Sequence, residues 1–232
     1  MSNSDFFKKI NYKFNNLKFF REAITHKSYA NQNFDMCNVY NERMEFLGDA
    51  VLDCIISEKL YELLPEAHEG RLTSLRIQLV RGKTLAEIAR QIELGKVILL
   101  GSGEDSHGGR EKDSILADAL EALIAAIFLD SGYETTKTVV LNIFRDVLDK
   151  TIKEYESDNY KSEFQELLQE QGPVNIEYNL VEAVGPSHDR TFFVEVFADG
   201  KNYGRGSGHS KKAAEQEAAK VAIGRVMRKN GE

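Results

Sequence analysis

Hydrophobic residues in the first two thirds of the chain recur at intervals of three and four positions, which is the period of an amphipathic helix. Pro65, Gly82 and Gly95 interrupt this pattern, because proline and glycine break or end helices. The pattern predicts an all-α domain. Its predicted helices cover residues 41–56, 71–80, 83–94, 114–129 and 133–155.

The pattern changes after residue 160, where apolar and polar residues alternate in short runs that predict strands. Tyr178 and Leu180 are expected to face the core, and Asp199-Gly200 is expected to form a hairpin turn. The order α-β-β-β-α is typical of a small α+β domain. These elements are predicted at residues 160–171, 176–183, 190–198, 201–208 and 211–228.

A polar stretch near residue 155 separates the two patterns. We therefore predict one domain at residues 1–152, a linker at residues 153–159 and a second domain at residues 160–232. The linker is short and polar, so we expect it to be mobile. Within the first domain, the glycine-rich residues 101–109 are predicted to form a loop.

Three carboxylates lie on one side of the predicted helix at residues 41–56. Glu42, Glu45 and Asp49 are spaced by three and then four positions, so they fall within about 60° of one another around the helix axis. Because neighbouring like charges repel, such a row is either an ordinary solvated face or a set of ligands for a cation. The opposite side is apolar and comprises Met44, Leu47, Val51, Cys54 and Ile55.

Two other residues of this helix depart from an ordinary amphipathic pattern. Gly48 lies inside the helix, where glycine costs about 1 kcal/mol relative to alanine, so we expect another backbone or a ligand to approach it closely. Phe46 lies on the acidic side, where a large aromatic residue favours a subunit interface over a core position.

A second pair of acids interrupts the most apolar helix of the chain, at residues 114–129. Asp118 and Glu121 are its only charges, and no lysine or arginine lies within it to pair with them. Since buried acids are rarely left without a partner, a metal ion or a base from elsewhere is implied.

The candidate ligands are carboxylates, which favours Mg²⁺ or Mn²⁺. Zinc would require histidine or cysteine nearby, and a serine hydrolase would show GxSxG, which does not occur. A di-iron bundle would show two Glu-x-x-His motifs, and the chain has one, at residues 104–107. Carboxylate-bound Mg²⁺ most often serves phosphate chemistry. His26 is a further candidate ligand or base, with a structural role as the alternative.

The net charge of −7 argues at first against binding to nucleic acid, but the charges are unevenly distributed. Residues 201–229 carry eight basic and two acidic residues. Within them, Ser210, Lys211 and Lys212 begin a predicted helix, where backbone N–H groups and two ammonium groups suit phosphates. An ordinary solvated face is the alternative.

The composition is that of a globular protein, with 42% hydrophobic and 29% charged residues. No apolar run reaches the length of about 18 residues that a membrane helix requires, and no signal peptide is recognisable. Cys37 and Cys54 lack metal-ligand spacing, so a reducing, cytoplasmic setting is expected.

Several motifs resemble a known family, bacterial ribonuclease III. NERMEFLGDAVLD at residues 41–53 resembles its signature stretch, and ILADALEALIAAIFLDSGY at residues 115–133 resembles its second acidic helix. THKSYAN, EGRLTSLR and LVRGKTLAEIAR are similar to other parts of its catalytic domain in the same order. KSEFQELLQEQG, GPSHDRTFFVEV and GRGSGHSKKAAEQEAA resemble a double-stranded-RNA-binding domain.

The resemblance implies an all-α catalytic domain followed by an α+β RNA-binding domain. It implies a homodimeric endoribonuclease that cleaves both strands of duplex RNA, leaves 5′-phosphate and 3′-hydroxyl ends, and processes ribosomal, messenger, transfer and other structured RNA precursors. Glu45, Asp118 and Glu121 would hold Mg²⁺, with Mn²⁺ as a possible substitute, and Asp49 would complete the site. The supporting residues that match the family are Glu42 and Glu69, at the rim of the catalytic valley, and Phe46, which would enter a pocket on the partner subunit.

In the second domain, the resemblance implies recognition of duplex RNA by shape. Gln165 would approach one minor groove, and Gly185, Pro186, Ser187 and His188 would enter the next. Ser210, Lys211 and Lys212 would span the phosphates between the two grooves.

Two other functions are compatible with parts of the pattern. A non-cleaving RNA-binding dimer could use the acids structurally, but the complete set of six acids argues against it. A metal-dependent phosphohydrolase for small molecules would leave the Lys211-Lys212 domain without a role.

Overall fold

The computed structural model describes residues 2–33, 39–158, 160–169, 172–186 and 189–230. The chain divides into two compact units, Met1–Asp149 and Lys150–Glu232. The described residues of the first unit form helices, and those of the second unit include all three strands. The predicted order of an all-α domain followed by an α+β domain is confirmed. No helix among the described residues is long and apolar enough to cross a membrane.

Ten α-helices occur between residues 3 and 158 of the described chain, and short 3₁₀ turns follow α6 and α7. The last helix, α10, spans the division between the two units. The helices are α1 (Asn3–Lys9), α2 (Leu17–Ala23), α3 (Lys27–Gln32), α4 (Glu42–Leu63), α5 (Glu69–Val80), α6 (Gly82–Gln91), α7 (Ser102–Ser106), α8 (Asp113–Ser131), α9 (Tyr133–Ile143) and α10 (Arg145–Asp158).

Helix α8 forms the centre of the first unit, because its apolar residues cover most of its circumference. It packs against α2, α4 and α6. Leu120 and Leu123 in α8 and Leu52 in α4 are all fully or almost fully buried. The acidic pair Asp118 and Glu121 is therefore carried by the central helix of the core.

Gly48 permits the closest approach between α4 and α8. A Cβ atom at this position would lie 1.8 Å from the backbone oxygen of Glu121, far inside van der Waals contact. The expectation that another backbone approaches Gly48 is confirmed. The contact brings the acidic row of α4 next to the acids of α8.

The second unit contains α11 (Tyr160–Gln169), β1 (Ile176–Val184), β2 (Thr191–Ala198), β3 (Lys201–Gly208) and α12 (Lys211–Asn230). The strands form an antiparallel sheet in the order β1-β2-β3. The core of this unit contains Val194 and Val196 of β2, Phe164 of α11, and Ala218 and Ala222 of α12. The predicted hairpin turn at Asp199-Gly200 is confirmed, with φ values of 45° and 76°.

Some local expectations were wrong. Residues 101–109 include the short helix α7, which the Arg110 guanidinium stabilises by donating to Asp105 and to backbone oxygens of residues 95 and 98. The helix expected at residues 133–155 is interrupted at Phe144. Cys54 is exposed instead of facing the core.

Two further differences concern the second part of the chain. Leu180 is exposed although its register partner Val194 is buried, and the β1–β2 register shifts directly after it, between Leu180 and Glu182. Residues 153–158 of the expected linker are helical and belong to α10. The exact domain boundaries stay a prediction.

Candidate metal and RNA-binding sites

Three carboxylates meet where α4 packs against α8. Glu45 from α4 and Asp118 and Glu121 from α8 each offer an oxygen within 4.8 Å of the others. All three residues are half-buried. The spacing of Asp118 and Glu121 by three positions places both on one side of α8, and the Gly48 contact brings Glu45 to the same place. We call these three residues the acidic cluster.

Burial and repulsion disfavour negative charge in the acidic cluster. Burial, followed by the charges of Asp49, Glu45, Asp118 and Asp53, raises the pKa of Glu121 to about 8. Burial also raises the pKa of Glu45 and of Asp118. Without a cation, the Glu121 carboxyl therefore retains its proton at neutral pH.

This donor set fits a divalent cation. Its oxygen atoms come from carboxylates, which suit Mg²⁺ or Mn²⁺. Asp118 and Glu121 lie on a core helix, where such charge is costly unless a positive charge compensates it. A cation in the acidic cluster would favour the ionised form of all three residues.

Asp49, the fourth predicted ligand, lies just outside the acidic cluster. It is exposed on α4, one turn after Glu45, and its charge contributes to the raised pKa of both Glu45 and Glu121. Asp49 therefore borders the acidic cluster from the solvent side. Its expected role in completing the metal site stays a prediction.

The two predicted rim residues occupy different places. Glu42 is exposed at the start of α4, and one of its carboxylate oxygens lies 3.1 Å from Nζ of Lys27. Glu69 is exposed at the start of α5 and accepts a hydrogen bond from Thr73. Of the two, Glu42 is among the charges that raise the pKa of Glu45, whereas Glu69 borders a separate groove.

That groove lies between α4 and α5 and has a volume of about 690 Å³. Its lining includes Cys54, Tyr61, Leu72 and Arg76 as well as Glu69, and we call it the α4–α5 groove. Phe46 lies on the same helix as Cys54 and Tyr61 but protrudes into solvent with 81% of its surface exposed. A protruding aromatic ring and a concave surface therefore occur together on one helical unit.

Asp53 was not among the predicted site residues, although a simple sequence signal was present. Asp53 follows Asp49 by four residues, so it extends the acidic row of α4 by one turn. Its charge contributes to the raised pKa of Glu121, after burial and the three nearer acids. Nε of Arg76 lies 3.9 Å from a carboxylate oxygen of Asp53, which links the acidic row to the α4–α5 groove.

His26 performs a structural task at the start of α3. Its Nδ1 accepts a hydrogen bond from the backbone N–H of Ser28 and so caps the helix. Burial lowers the pKa of His26, which favours the neutral ring that such a cap requires. His26 therefore has a structural role as the cap of α3, and it is not part of the acidic cluster.

Most of the predicted phosphate-binding residues of the second unit are exposed. Ser210 caps α12 by accepting a hydrogen bond from the backbone N–H of Ala213, as predicted. Lys211 and Lys212 are the first two residues of α12 and are exposed, and no acid occurs in the first turn. These residues combine a helix N-terminus with positive charge at the surface.

The other predicted RNA-binding residues lie on α11 and in the turn after β1. Gln165 is exposed on α11. Gly185 has a φ of 104°, and the backbone N–H of Asp189 donates to the oxygen of Pro186, which closes the turn. Ser187 and His188 lie outside the described residues.

Comparisons with known proteins match both units. Residues 16–147 match the Ribonuclease-III-like family, and residues 160–224 match the double-stranded RNA binding motif. Ribonuclease 3 of Desulforamulus reducens is 44% identical over 93% of this chain and 87% of its own length. Ribonuclease 3 of Natranaerobius thermophilus is 46% identical over 91% of each chain.

Solved structures resemble the first unit in particular. The nuclease domain of ribonuclease III from Campylobacter jejuni is 40% identical, with a TM-score of 0.59. The match covers 62% of this chain and 97% of that domain. The description of that structure refers to flexibility in a region involved in dimer formation.

Proposed function

This chain belongs to the ribonuclease III family and is an endoribonuclease that acts on double-stranded RNA, and we propose that it hydrolyses both strands in a Mg²⁺-dependent reaction. The products would carry 5′-phosphate and 3′-hydroxyl ends. The observation that carries this proposal is the acidic cluster, in which three half-buried carboxylates from two helices converge. Mn²⁺ would be a possible substitute, because its ligand preference is similar.

In the proposed mechanism, Glu45, Asp118 and Glu121 would hold Mg²⁺, and Asp49 would complete the site. When bound, the ion supplies an activated water molecule and neutralises charge on the phosphate. Glu121 would ligate the ion as the carboxylate and release its proton to solvent, since burial and neighbouring acids raise its pKa without an ion. Asp49, on the solvent side, orients the water molecule that attacks the phosphodiester.

A direct test measures binding and cleavage of one labelled RNA duplex by the full chain. We expect binding without cleavage in EDTA and cleavage of both strands after Mg²⁺ is added. Digestion with a 5′-phosphate-dependent exonuclease and mapping of the 3′ ends would identify the products. Binding without any cleavage in Mg²⁺ or Mn²⁺ would favour a non-cleaving RNA-binding protein and contradict the proposal.

The second unit would hold duplex RNA by its shape and its phosphates. Gln165 would approach one minor groove, and the turn that includes Gly185, Pro186, Ser187 and His188 would approach the next. Ser210, Lys211 and Lys212 would contact the phosphates between them. The exposed start of α12, with its helix N-terminus and two lysines, supports this arrangement.

Replacing both Lys211 and Lys212 with alanine should weaken RNA binding in EDTA by at least about tenfold at 0.15 M salt, because two phosphate contacts are lost. The slope of log Kd against log salt should also fall by about 2. The matched control is the Lys83→Ala variant, which removes an exposed lysine of α6. An unchanged salt dependence for the double variant would contradict the proposed phosphate contacts.

We also propose that the enzyme acts as a homodimer in which Phe46 of each subunit enters the α4–α5 groove of the other. An aromatic ring that is 81% exposed and a groove of about 690 Å³ offer complementary shapes. Glu69 borders that groove, so docking would bring it close to the acidic row of the second copy. Glu69 would thus act across the interface at the rim of the catalytic valley.

The Phe46→Ala variant should dissociate at a concentration at least about 100-fold higher than the wild type, because a central aromatic anchor is lost. Sedimentation velocity over a dilution series would measure this change. Leu129→Ala serves as the control, since it removes another exposed apolar side chain. Equal dimer stability for wild type and Phe46→Ala would contradict the proposed docking of Phe46.

The remaining proposals concern cellular context. Ribosomal, messenger and transfer RNA precursors with duplex segments are the proposed substrates, and the cytoplasm is the proposed location. The free, exposed thiol of Cys54 supports a reducing compartment. Accumulation of uncut ribosomal precursors in cells depleted of the enzyme would test the substrate proposal, and its absence would contradict it.

A further inference from the structure

An ion pair lies beside the acidic cluster and has no role in the mechanism above. Nζ of Lys27, at the start of α3, lies 3.1 Å from Oε1 of Glu42, at the start of α4. Both side chains remain accessible, with 59% and 47% of their surfaces exposed. Glu42 precedes Glu45 by three residues, so the pair lies next to the acidic cluster along one face of α4.

Backbone hydrogen bonds hold both ends of this pair in place. The N–H of Asn41, the residue before Glu42, donates to the oxygen of Thr25, two residues before Lys27, at 2.9 Å. The N–H of His26 donates to the oxygen of Leu99, which fixes the same segment from another side. The starts of α3 and α4 are therefore joined directly, so the backbone that carries each partner of the ion pair is fixed relative to the other.

The first turn of α3 is fixed by side chains as well. Nδ1 of His26 accepts from the backbone N–H of Ser28, and the hydroxyl of Ser28 accepts from the backbone N–H of Gly101 at 2.9 Å. Lys27 lies between these two anchored residues. An exposed ion pair usually contributes little to stability, so this degree of anchoring indicates a functional position for the ammonium group.

The charge of Lys27 reaches the acidic cluster. The hydrogen bond to Glu42, the charge of Glu42 and the charges of Asp118 and Glu45 together raise the pKa of Lys27. Burial raises the pKa of Asp118 and Glu45, and the positive charge of Lys27 acts against that rise in both. Lys27 therefore remains charged beside the proposed metal site while its side chain stays open to solvent.

We propose that Lys27 is a catalytic residue that donates a hydrogen bond to a nonbridging oxygen of the scissile phosphate, and that Glu42 is the positioning residue that aims it. This inference rests on the proposed function, since it assigns residues to the same phosphodiester hydrolysis. A phosphate at the acidic cluster has nonbridging oxygens besides any that face the proposed metal ion, and a positively charged donor on the side open to solvent stabilises the charge that develops on them. The ammonium group that Glu42 holds supplies that charge, and Glu42 receives a role that does not require it to bind the metal.

The test measures single-turnover cleavage of a duplex by the full-length enzyme in saturating Mg²⁺. Lys27→Ala should lower the maximal rate by about 100-fold, the usual effect of losing one donor to a developing oxyanion. Lys27→Arg should recover most of that loss, because it restores a positive donor. A maximal rate for Lys27→Ala within threefold of wild type would overturn the proposal.

Lys9→Ala is a closely matched control. Nζ of Lys9 also lies 3.1 Å from a glutamate oxygen, that of Glu93, and both side chains are partly exposed. Its partner Glu93 lies outside the acidic cluster. We expect Lys9→Ala to cleave at the wild-type rate, and an equal loss in Lys9→Ala and Lys27→Ala would show a general effect of ion pairs and overturn the proposal.

A double-mutant cycle tests the role of Glu42. If Glu42 acts through Lys27, Glu42→Ala should lower the maximal rate about tenfold in wild type and by less than twofold in the Lys27→Ala background. Equal losses in both backgrounds would overturn the positioning role. Cleavage by the wild type in Mg²⁺, measured in parallel, separates the proposed function from the proposed role of Lys27. An inactive wild type would refute the proposed function. An active wild type together with an equally active Lys27→Ala variant would refute only the role of Lys27.

Discussion

The Glu121→Gln variant is expected to lose cleavage of duplex RNA by at least about 10³-fold in Mg²⁺ while it binds the same duplex with unchanged affinity. Glutamine has nearly the same shape as glutamate, so the packing of α4 against α8 should persist. What it removes is the negative charge that the proposed metal site requires. Single-turnover cleavage and binding in EDTA would measure the two quantities separately.

Although Glu121→Gln should lose activity, it should be more stable than wild type in metal-free solution. The pKa of Glu121 is raised to about 8 in the folded protein, whereas an unfolded glutamate titrates near 4.5. In metal-free solution, the unfolded chain therefore ionises first as the pH rises, and this residue makes the folded state progressively less stable between about pH 4.5 and pH 8. Glu121→Gln removes this loss, so its unfolding temperature in EDTA at pH 9 should exceed that of wild type.

Magnesium should reverse that order. The ion binds the folded wild type and raises its unfolding temperature, whereas Glu121→Gln should gain little. Glu87→Gln, an exposed change on α6, serves as the control and should behave as wild type in every assay. Cleavage by Glu121→Gln within tenfold of wild type would contradict the proposed site, and so would an equal response of both proteins to Mg²⁺.

The helical spacing of the acids indicated an acidic face on each of two helices, and the resemblance to ribonuclease III implied that Glu45, Asp118 and Glu121 share one site. Spacings of three and four positions placed the acids of each helix on one face, and an apolar helix that contains Asp118 and Glu121 required a compensating partner. Gly48 indicated the close contact that brings Glu45 to the same place. The spacing of the acids and the presence of Gly48 are local signals, whereas the helix that approaches Gly48 is determined by tertiary packing.

Other features depended on tertiary contacts that local patterns do not contain. Helix α7 exists because the guanidinium of Arg110 ties Asp105 to the oxygens of distant residues, so the glycine content of the segment was a misleading signal. Leu180 is exposed although its register partner Val194 is buried, and a register shift that follows it changes the pairing from Glu182 onward. A period of two positions cannot indicate where such a shift occurs.

The ion pair of Lys27 with Glu42 also depends on a tertiary contact that the local sequence does not show. Nothing in THKSYAN shows that its lysine lies beside Glu42, because the two are 15 residues apart. The backbone hydrogen bond between Asn41 and Thr25 creates that neighbourhood. Glu69 borders the α4–α5 groove and is no member of the acidic cluster, so the role proposed for it requires a second copy of the chain.

The Gly48→Ala variant is expected to destabilise the first unit by more than about 3 kcal/mol, above the usual range for an extra methyl group in a packed core. The new Cβ would lie 1.8 Å from the backbone oxygen of Glu121 and 2.4 Å from its carbonyl carbon. Neither partner is the flexible end of a side chain, so the two helices must separate. Equilibrium unfolding in urea, followed by circular dichroism, would measure the loss.

Gly70→Ala is the matched control, because Gly70 is also helical but a Cβ atom added there would have no neighbouring atom within 4 Å. Alanine at this position should be neutral or stabilise the protein by up to about 1 kcal/mol, since it has the higher helix propensity.

Separation of α4 from α8 should also increase the distance between Glu45 and Glu121, so the folded fraction of Gly48→Ala should lose its stabilisation by Mg²⁺. A Gly48→Ala protein with wild-type stability and wild-type Mg²⁺ response would show that this helix contact does not assemble the acidic cluster.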